Sequence, residues 1–231
     1  KPNMLTLRVH SLVLYLTMDR EEIRFCPLCN GIDEDVISKV LKIATRATFA
    51  EGEQIYIQEG SYRGIFVILE GEARLYSHNE KGNEFLVKRL SGHKVFGESG
   101  KLSGVYLENA SAQSSLNCIF LPGKEFEEIV TNSPQLSKVF MTLLSSWLID
   151  FYKRFQTLSY TNVTDRVRHF LLSESELVGS RVLDINLRRH EIASNIGVRP
   201  ETLSRVLGKL EKENLIKVES NNTIILSGLV K

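Results

Sequence analysis

The chain of 231 residues has only three cysteines, five prolines and one tryptophan, and neither sign of charge dominates. A small, odd number of cysteines argues against a disulfide scaffold and for a reducing compartment. A net charge of +1 excludes a strongly basic, histone-like protein. No apolar run approaches the ~20 residues that a transmembrane helix needs, and charged residues follow the apolar stretch 11–18 at once. We therefore expect a cytoplasmic protein that does not associate with a membrane.

The sequence also lacks the motifs that most often identify an enzyme. It contains no P-loop, no G-x-S-x-G and no histidine-rich metal motif. Gly92, Gly97 and Gly100 are not a dinucleotide fingerprint, because no strand–helix crossover follows them. We expect a protein that is not an enzyme.

Glycine-punctuated short strands make up most of the N-terminal half. Between residues 46 and 121, β-branched and aromatic residues recur in short runs separated by glycines, which is typical of an all-β barrel or roll. A helix is expected over residues 32–44 and a hairpin turn at 79–82. We assign residues 25–133 to a β-roll sensor domain and treat residues 1–24 as an N-terminal extension without a known role.

A single long helix is predicted from Pro134 to about Tyr160, and residues 134–161 are assigned to it. Its apolar residues step by three or four, close to a coiled-coil seam. The predicted seam comprises Leu136, Phe140, Leu143, Trp147, Phe151, Phe155 and Leu158. An exposed seam of this kind would be a liability, so we predict a homodimer formed through the helix; the alternative is a helix packed on its own barrel.

Residues 162–231 are predicted to form a winged helix. Asn162 can cap a helix in which Asp165 adds a favourable charge to the first turn. A short strand over 182–185, two short helices within 187–210, and a hairpin of strands 215–219 and 223–226 follow in order. The complete fold class is therefore α+β: an N-terminal β-roll, a long dimerisation helix and a C-terminal winged helix-turn-helix.

The segment LRRHEIASNIGVRPETLSRVLGKL, residues 187–210, carries the helix-turn-helix pattern. Ile192 and Ile196 are four residues apart on the first helix, and Gly197 suits the left-handed residue that ends it. Pro200 suits the first turn of the second helix. The apolar stripe of that helix comprises Leu203, Val206, Leu207 and Leu210. This pattern places a recognition helix in the DNA major groove.

The polar face of the second helix carries residues that can read bases. Glu201, Ser204 and Arg205 share one face near the helix N-terminus. Arginine can bind guanine in a bidentate manner, glutamate can accept from cytosine, and serine can serve either. The predicted DNA-binding residues are Arg189, His190, Arg199, Glu201, Thr202, Ser204, Arg205 and Lys209. The alternative is a two-helix corner with a solvated charged face.

From Phe25 to Leu226, the chain resembles the CRP/FNR superfamily of bacterial transcription regulators. The resemblance implies that the N-terminal β-roll is cyclic-nucleotide-binding-like. The resemblance is carried by FAEGE (49–53), IFVILEG (65–71), FGE (96–98) and ETLSR (201–205). The last motif resembles the FNR branch, since the CRP branch has glycine and arginine where this chain has Ser204 and Pro200. The resemblance implies that the protein binds double-stranded DNA at an inverted repeat of TTGAT-like half-sites. It also implies RNA polymerase as a partner.

The resemblance also defines a candidate effector pocket. The CRP branch binds cyclic AMP through a glutamate and an Arg-Ser pair. This chain keeps the glutamate as Glu98 but has Asn109 in place of the arginine. The replacement removes the charge-assisted contact to the phosphate. Phe151 and Tyr152 stand about where that branch holds adenine. Cyclic AMP is therefore disfavoured, although a cyclic-nucleotide-responsive protein is the alternative function. The candidate pocket residues are Glu98, Ser99, Asn109, Ser111, Phe151 and Tyr152.

Cysteines and histidines leave other signals open. Three cysteines cannot supply the ligands of a four-cysteine iron–sulfur cluster. Cys26 and Cys29 form a C-x-x-C motif, which suits a redox dithiol or a partial metal site. The alternative is that Cys29 only fills an apolar position. Cys118 is expected in a strand core. His93 and His78 could ligate haem iron, as in gas-sensing relatives, or be solvated surface residues.

Overall fold

The computed structural model describes residues 23, 26–78, 82, 84–184, 189–219 and 223–229, with backbone alone at 177, 178, 184, 190, 191 and 194. The chain divides into two compact units. The first contains residues up to 78 and residues 87–143, and the second contains residues 79–86 and those from 144 onward. The predicted turn at 79–82 lies mostly outside the described residues, as do residues 1–22 of the N-terminal extension.

Two antiparallel four-stranded sheets form the β-roll, which confirms that part of the predicted fold. One sheet has the order β1-β8-β3-β6 and the other β2-β7-β4-β5. The strands are β1 (Thr45–Phe49), β2 (Gln54–Tyr56), β3 (Gly64–Glu70), β4 (Glu72–His78), β5 (Glu84–Ser91), β6 (Val95–Phe96), β7 (Asn109–Ala112) and β8 (Leu116–Pro122). Strand β5 begins in the second unit and continues into the first.

The burial of side chains along the strands shows which of their faces are covered. Along β4, Ala73, Leu75 and Ser77 are buried while the residues between them are less so, as a strand with one face toward the core requires. Strand β3 is buried from Gly64 to Ile68, so both of its faces are covered. Ile65 and Val67 pack in a core cluster with Val40, Phe126 and Leu136, whereas Phe66 stacks on Phe96 of β6.

Helices accompany the β-roll: α1 (Glu34–Ile43), α2 (Gly100–Ser103), α3 (Gly123–Thr131) and α4 (Pro134–Ser159), preceded by a 3₁₀ turn at Pro27–Cys29. The first three belong to the first unit, whereas α4 continues into the second unit from residue 144. Acidic residues in the first turn of α1 and Lys42 in its last turn suit the helix dipole. Phe126 of α3 and Phe140 of α4 pack edge to face at 5.9 Å, so the start of α4 belongs to the core of this unit.

The second unit contains the winged helix. Its elements are α5 (Val163–Val178), β9 (Val182–Asp184), α6 (Arg189–Asn195), α7 (Pro200–Lys212), β10 (Ile216–Val218) and β11 (Thr223–Leu226), with sheet order β10-β11-β9. The predicted cap is confirmed, because the Asn162 side chain accepts a hydrogen bond from the Thr164 N–H at 2.9 Å. The tip of the predicted wing, residues 220–222, lies outside the described residues.

The long helix has two apolar faces, so the predicted seam was wrong in its first half. Leu136 and Phe140 are buried within the first unit. Six of the exposed apolar residues step regularly by three and four: Met141, Leu144, Leu148, Phe151, Phe155 and Leu158. Ile149 and Tyr152 are also exposed but lie outside this step. Leu148 and Phe155 are 70% and 69% exposed. This is the spacing of a heptad seam, and it begins one residue after Phe140.

Within the described ranges, no helix combines the length and the apolar character that crossing a membrane requires.

Candidate nucleic-acid interface

The turn between α6 and α7 has the predicted geometry. Gly197 has φ of +64°, the left-handed conformation in which glycine carries no steric penalty. The Val198 N–H donates to the Ala193 carbonyl at 2.9 Å and closes the end of α6. Pro200 begins α7, where its missing N–H costs no helical hydrogen bond. The chain therefore reverses in the few residues between the two helices.

The inner face of α7 is held by apolar packing. Its predicted stripe is buried: Leu203, Val206, Leu207 and Leu210. Ile192 and Ala193 of α6, with Ile196 directly after it, belong to the same core cluster, and Ala193 is fully buried. At the far end of α7, the Glu211 carboxylate accepts a hydrogen bond from the Val218 N–H of β10 at 2.9 Å. Packing on one face and this bond at one end fix the orientation of α7.

The outer face of α7 carries the predicted base-reading residues. Glu201, Ser204 and Arg205 are exposed, and Thr202 is partly buried. The side chain of Arg199 is exposed just before the helix, while its carbonyl accepts from the Leu203 N–H at 3.0 Å. The structure thus brings these side chains to one exposed helix end.

Other predicted DNA-binding residues flank this face. Lys209 lies one turn beyond Arg205 and pairs with Glu213 at 3.9 Å, an exposed pair too weak to prevent contact with a phosphate. Arg189 is exposed at the start of α6. The side chain of His190 lies outside the described residues.

Arg166 reaches the same turn from α5. Its Nη1 donates to the carbonyls of Ile196 and Gly197, each at 3.3 Å. Sequence reasoning missed this residue, because the contact spans about 30 positions and no local pattern indicates it.

A buried carboxylate lies beside the predicted effector residues of the first unit. The Ser99 hydroxyl lies 3.0 Å from both Glu108 carboxylate oxygens, and the Tyr56 hydroxyl donates to Oε1 at 3.0 Å. Burial raises the pKa of Glu108, although these two hydrogen bonds oppose the shift. Glu98 is also buried. Burial raises the pKa of Tyr56, and the nearby carboxylates of Glu108 and Glu98 raise it further. Two acidic side chains therefore share this region.

Glu108, and not Asn109, is the side chain that lies beside Ser99. The Asn109 Oδ1 accepts from the Gln58 N–H at 3.0 Å, and its Nδ2 donates to the Tyr76 carbonyl at 3.3 Å. Its amide therefore links the ends of neighbouring strands. Ser111 is buried in β7. Phe151 and Tyr152 are exposed on α4, in the second unit.

Two family models match the chain in the same order as its two units. The cyclic nucleotide-binding domain matches residues 46–133, and the Crp-like helix-turn-helix domain matches residues 165–228. The chain belongs to the CRP/FNR superfamily of transcription regulators. The resemblance seen in the sequence is thereby confirmed, and with it a DNA-binding helix-turn-helix and a cyclic nucleotide-binding-like domain.

Individual relatives of this CRP/FNR regulator are distant. The transcriptional activator protein FnrA of Stutzerimonas stutzeri is 23% identical over 205 residues, covering 87% of this chain and 83% of that protein. A cyclic AMP receptor protein of Thermus thermophilus is 24% identical over 193 residues, covering 83% and 88%. The structure of FixK2 from Bradyrhizobium japonicum has a TM-score of 0.66 at 20% identity, covering 80% and 92%, and shows the shared fold alone.

The cysteines of the regulator are buried. Cys26 precedes the 3₁₀ turn, and the Cys29 N–H donates to the Cys26 carbonyl at 2.9 Å. The thiol–thiol hydrogen bond lowers the pKa of Cys26 and raises that of Cys29. Cys118 is buried in β8, as predicted. Among the described residues, no group of three or more His, Cys, Asp and Glu side chains is placed to hold a metal ion.

The two candidate haem ligands lie at different places in the roll. His78 ends β4, and its Nδ1 lies 3.4 Å from the Asn109 amide nitrogen. His93 has φ of +58° in the turn between β5 and β6. Haem ligation by either residue stays a prediction.

Proposed function

We propose that this regulator acts in the cytoplasm as a homodimer that binds an inverted DNA repeat and responds to a signal received by its β-roll. The observation that carries the DNA-binding part is the exposed set of Glu201, Ser204 and Arg205 at the N-terminal end of a helix whose opposite face is buried. This is the end of a recognition helix that contacts base edges.

Each side chain has a role in this proposal. Arg205 binds the O6 and N7 of guanine, Glu201 accepts from the amino group of cytosine, and Ser204 bonds to a neighbouring base. Flanking residues contact phosphates and sugars: Arg189, His190, Arg199, Thr202 and Lys209. The Glu-x-x-Ser-Arg pattern favours a half-site close to TTGAT.

The exposed seam of α4 supports the homodimer. Its six apolar residues follow a heptad spacing along a single face, from Met141 to Leu158. A second copy of the same helix would remove this surface from water. In an inverted repeat, two copies place their recognition helices in successive major grooves, about 34 Å apart.

The buried carboxyl group of Glu108 argues for a signal other than an anionic nucleotide. A cyclic phosphate beside Glu108 would meet a buried acidic group rather than a cation, and burying two groups of the same charge together is costly. This opposes the alternative of a cyclic AMP receptor. The remaining signals are a thiol or metal switch at Cys26 and Cys29, haem at His93 or His78, or a small molecule. By family resemblance, RNA polymerase is the protein partner.

Selection from random double-stranded DNA by the purified full-length chain tests this function. We expect enrichment of an inverted repeat whose half-sites are centred about one helical turn apart. Sedimentation of the complex should give two protein chains per duplex. Recovery of no preferred sequence would exclude the DNA-reading role, and a single half-site bound by a monomer would exclude the dimer.

A further inference from the structure

Arg166 joins the first turn of α5 to the turn that precedes the recognition helix. It is the fourth residue of α5, and it is partly buried. One nitrogen, Nη1, lies 3.3 Å from both the Ile196 and the Gly197 carbonyl oxygens. These are charge-assisted contacts, the stronger class of protein hydrogen bond.

The two carbonyls belong to the residues that directly follow α6, which ends at Asn195. They lie at the C-terminal end of that helix, which is the negative end of its dipole and favours a cation. The Val198 N–H bonds further back, to Ala193, and so leaves the Ile196 and Gly197 carbonyls available. A guanidinium group at this position satisfies both.

The last turn of the long helix reaches the same glycine. A Cβ added to Gly197 would lie 3.1 Å from Leu158 Cδ2 and 3.5 Å from Arg166 Nη1. The end of α4, the start of α5 and the turn therefore meet at one residue. Helix α7 begins only three residues later, at Pro200.

We propose that Arg166 is a positioning residue for DNA reading, one that holds the turn before the recognition helix against the ends of α4 and α5. This inference rests on the proposed DNA-binding function and concerns how the same interface is kept in place. Base contacts need an accurately oriented helix, whereas phosphate contacts carry no sequence information. Loss of the Arg166 contacts should therefore weaken specific binding more than non-specific binding.

Three variants of the full-length protein separate positioning from a simple charge effect: Arg166→Met, Arg166→Lys and, as a control, Arg168→Met. The control removes the same charge from the same helix. Affinity is measured at several salt concentrations for a duplex that the wild type enriches from random DNA, and for a scrambled duplex of equal length. Thermal unfolding of each variant shows whether it folds.

We expect Arg166→Met to bind the enriched duplex about a hundredfold more weakly, because each of the two protomers loses one charge-assisted hydrogen bond and each loss weakens binding about tenfold. Its affinity for scrambled DNA and its salt slope should match those of Arg168→Met. Arg166→Lys should recover part of the loss, because an ammonium group can still donate to one carbonyl.

Other outcomes overturn the inference. The slope of log affinity against log salt concentration could instead be shallower by about two for dimeric Arg166→Met than for Arg168→Met. That result would mean that Arg166 of each protomer neutralises a phosphate. An unchanged ratio of specific to non-specific affinity would mean that it does not position the helix. If Arg166→Met fails to fold, the same ratio measured for Arg166→Lys decides. A wild type that enriches no sequence contradicts the proposed function instead.

Discussion

The Ser99 hydroxyl lies 3.0 Å from both carboxylate oxygens of Glu108, the residue that precedes Asn109. The Tyr56 hydroxyl donates to the same carboxylate at 3.0 Å, so a buried acidic group with its own hydrogen-bond donors occupies this part of the β-roll.

Glu108→Gln should change the pH dependence of stability. Because burial raises the pKa of Glu108 above that of the unfolded chain, its contribution to stability is complete below the unfolded pKa and is lost as pH rises through the folded pKa. The free energy of unfolding of the wild type should therefore increase, relative to Glu108→Gln, as pH falls from 7 to below 4.5, the ordinary value for glutamate. Chemical denaturation at several pH values measures this. Glu51→Gln, at an exposed position, is the control. A difference in unfolding free energy between the wild type and Glu108→Gln that stays constant with pH would contradict the prediction.

Arg205→Ala should remove base discrimination. A bidentate arginine–guanine contact contributes about 1–3 kcal/mol against the wrong base in each half-site, so the dimer's binding free energy for the enriched duplex should weaken by roughly twice that amount, while affinity for scrambled DNA changes less. Lys209→Ala is the comparison, because a phosphate contact weakens binding to all sequences alike. Fluorescence anisotropy with both duplexes measures the two effects. If Arg205→Ala binds the enriched duplex as well as the wild type does, the recognition assignment is wrong.

Leu148→Asp should yield a monomer. Leu148 lies in the middle of the exposed heptad seam, and a carboxylate buried there by a second copy would lack a partner. Ile149→Asp is the matched control, since Ile149 is adjacent and exposed but lies off the seam. Sedimentation equilibrium should show a dimer for the wild type and for Ile149→Asp, and a monomer for Leu148→Asp. Equal dissociation of both variants would argue against a dimer formed through this face.

Gly197→Ala should destabilise the winged helix by roughly 1–2 kcal/mol. The alanine would have to adopt a φ of +64°, and its Cβ would press on Leu158. Gly208→Ala is the control, because a Cβ at this helical glycine meets nothing within 4 Å. It should stabilise the protein by up to about 1 kcal/mol. Thermal unfolding compares the two, and equal melting temperatures would remove the argument for strain at the turn.

Features that depend on neighbouring residues could be predicted from the sequence. The stripe from Leu203 to Leu210, the glycine at 197, the proline at 200 and the cap at Asn162 each depend on helical period or on one backbone conformation. The alternating strands of the β-roll were predictable for the same reason. These local signals determined the fold class and identified the recognition helix.

Tertiary structure decided what each face of an element meets. Whether Glu108 or Asn109 lies beside Ser99 depends on where β7 begins, since a shift of one residue reverses which side chains point inward. The seam of α4 differs from the predicted one because Leu136 and Phe140 are buried in the core of the first unit, whereas Met141 and Leu144 are exposed. The contact from Arg166 to Gly197 joins distant positions. Sequence period alone carries no information about such pairings, because they depend on which surfaces the folded chain brings together.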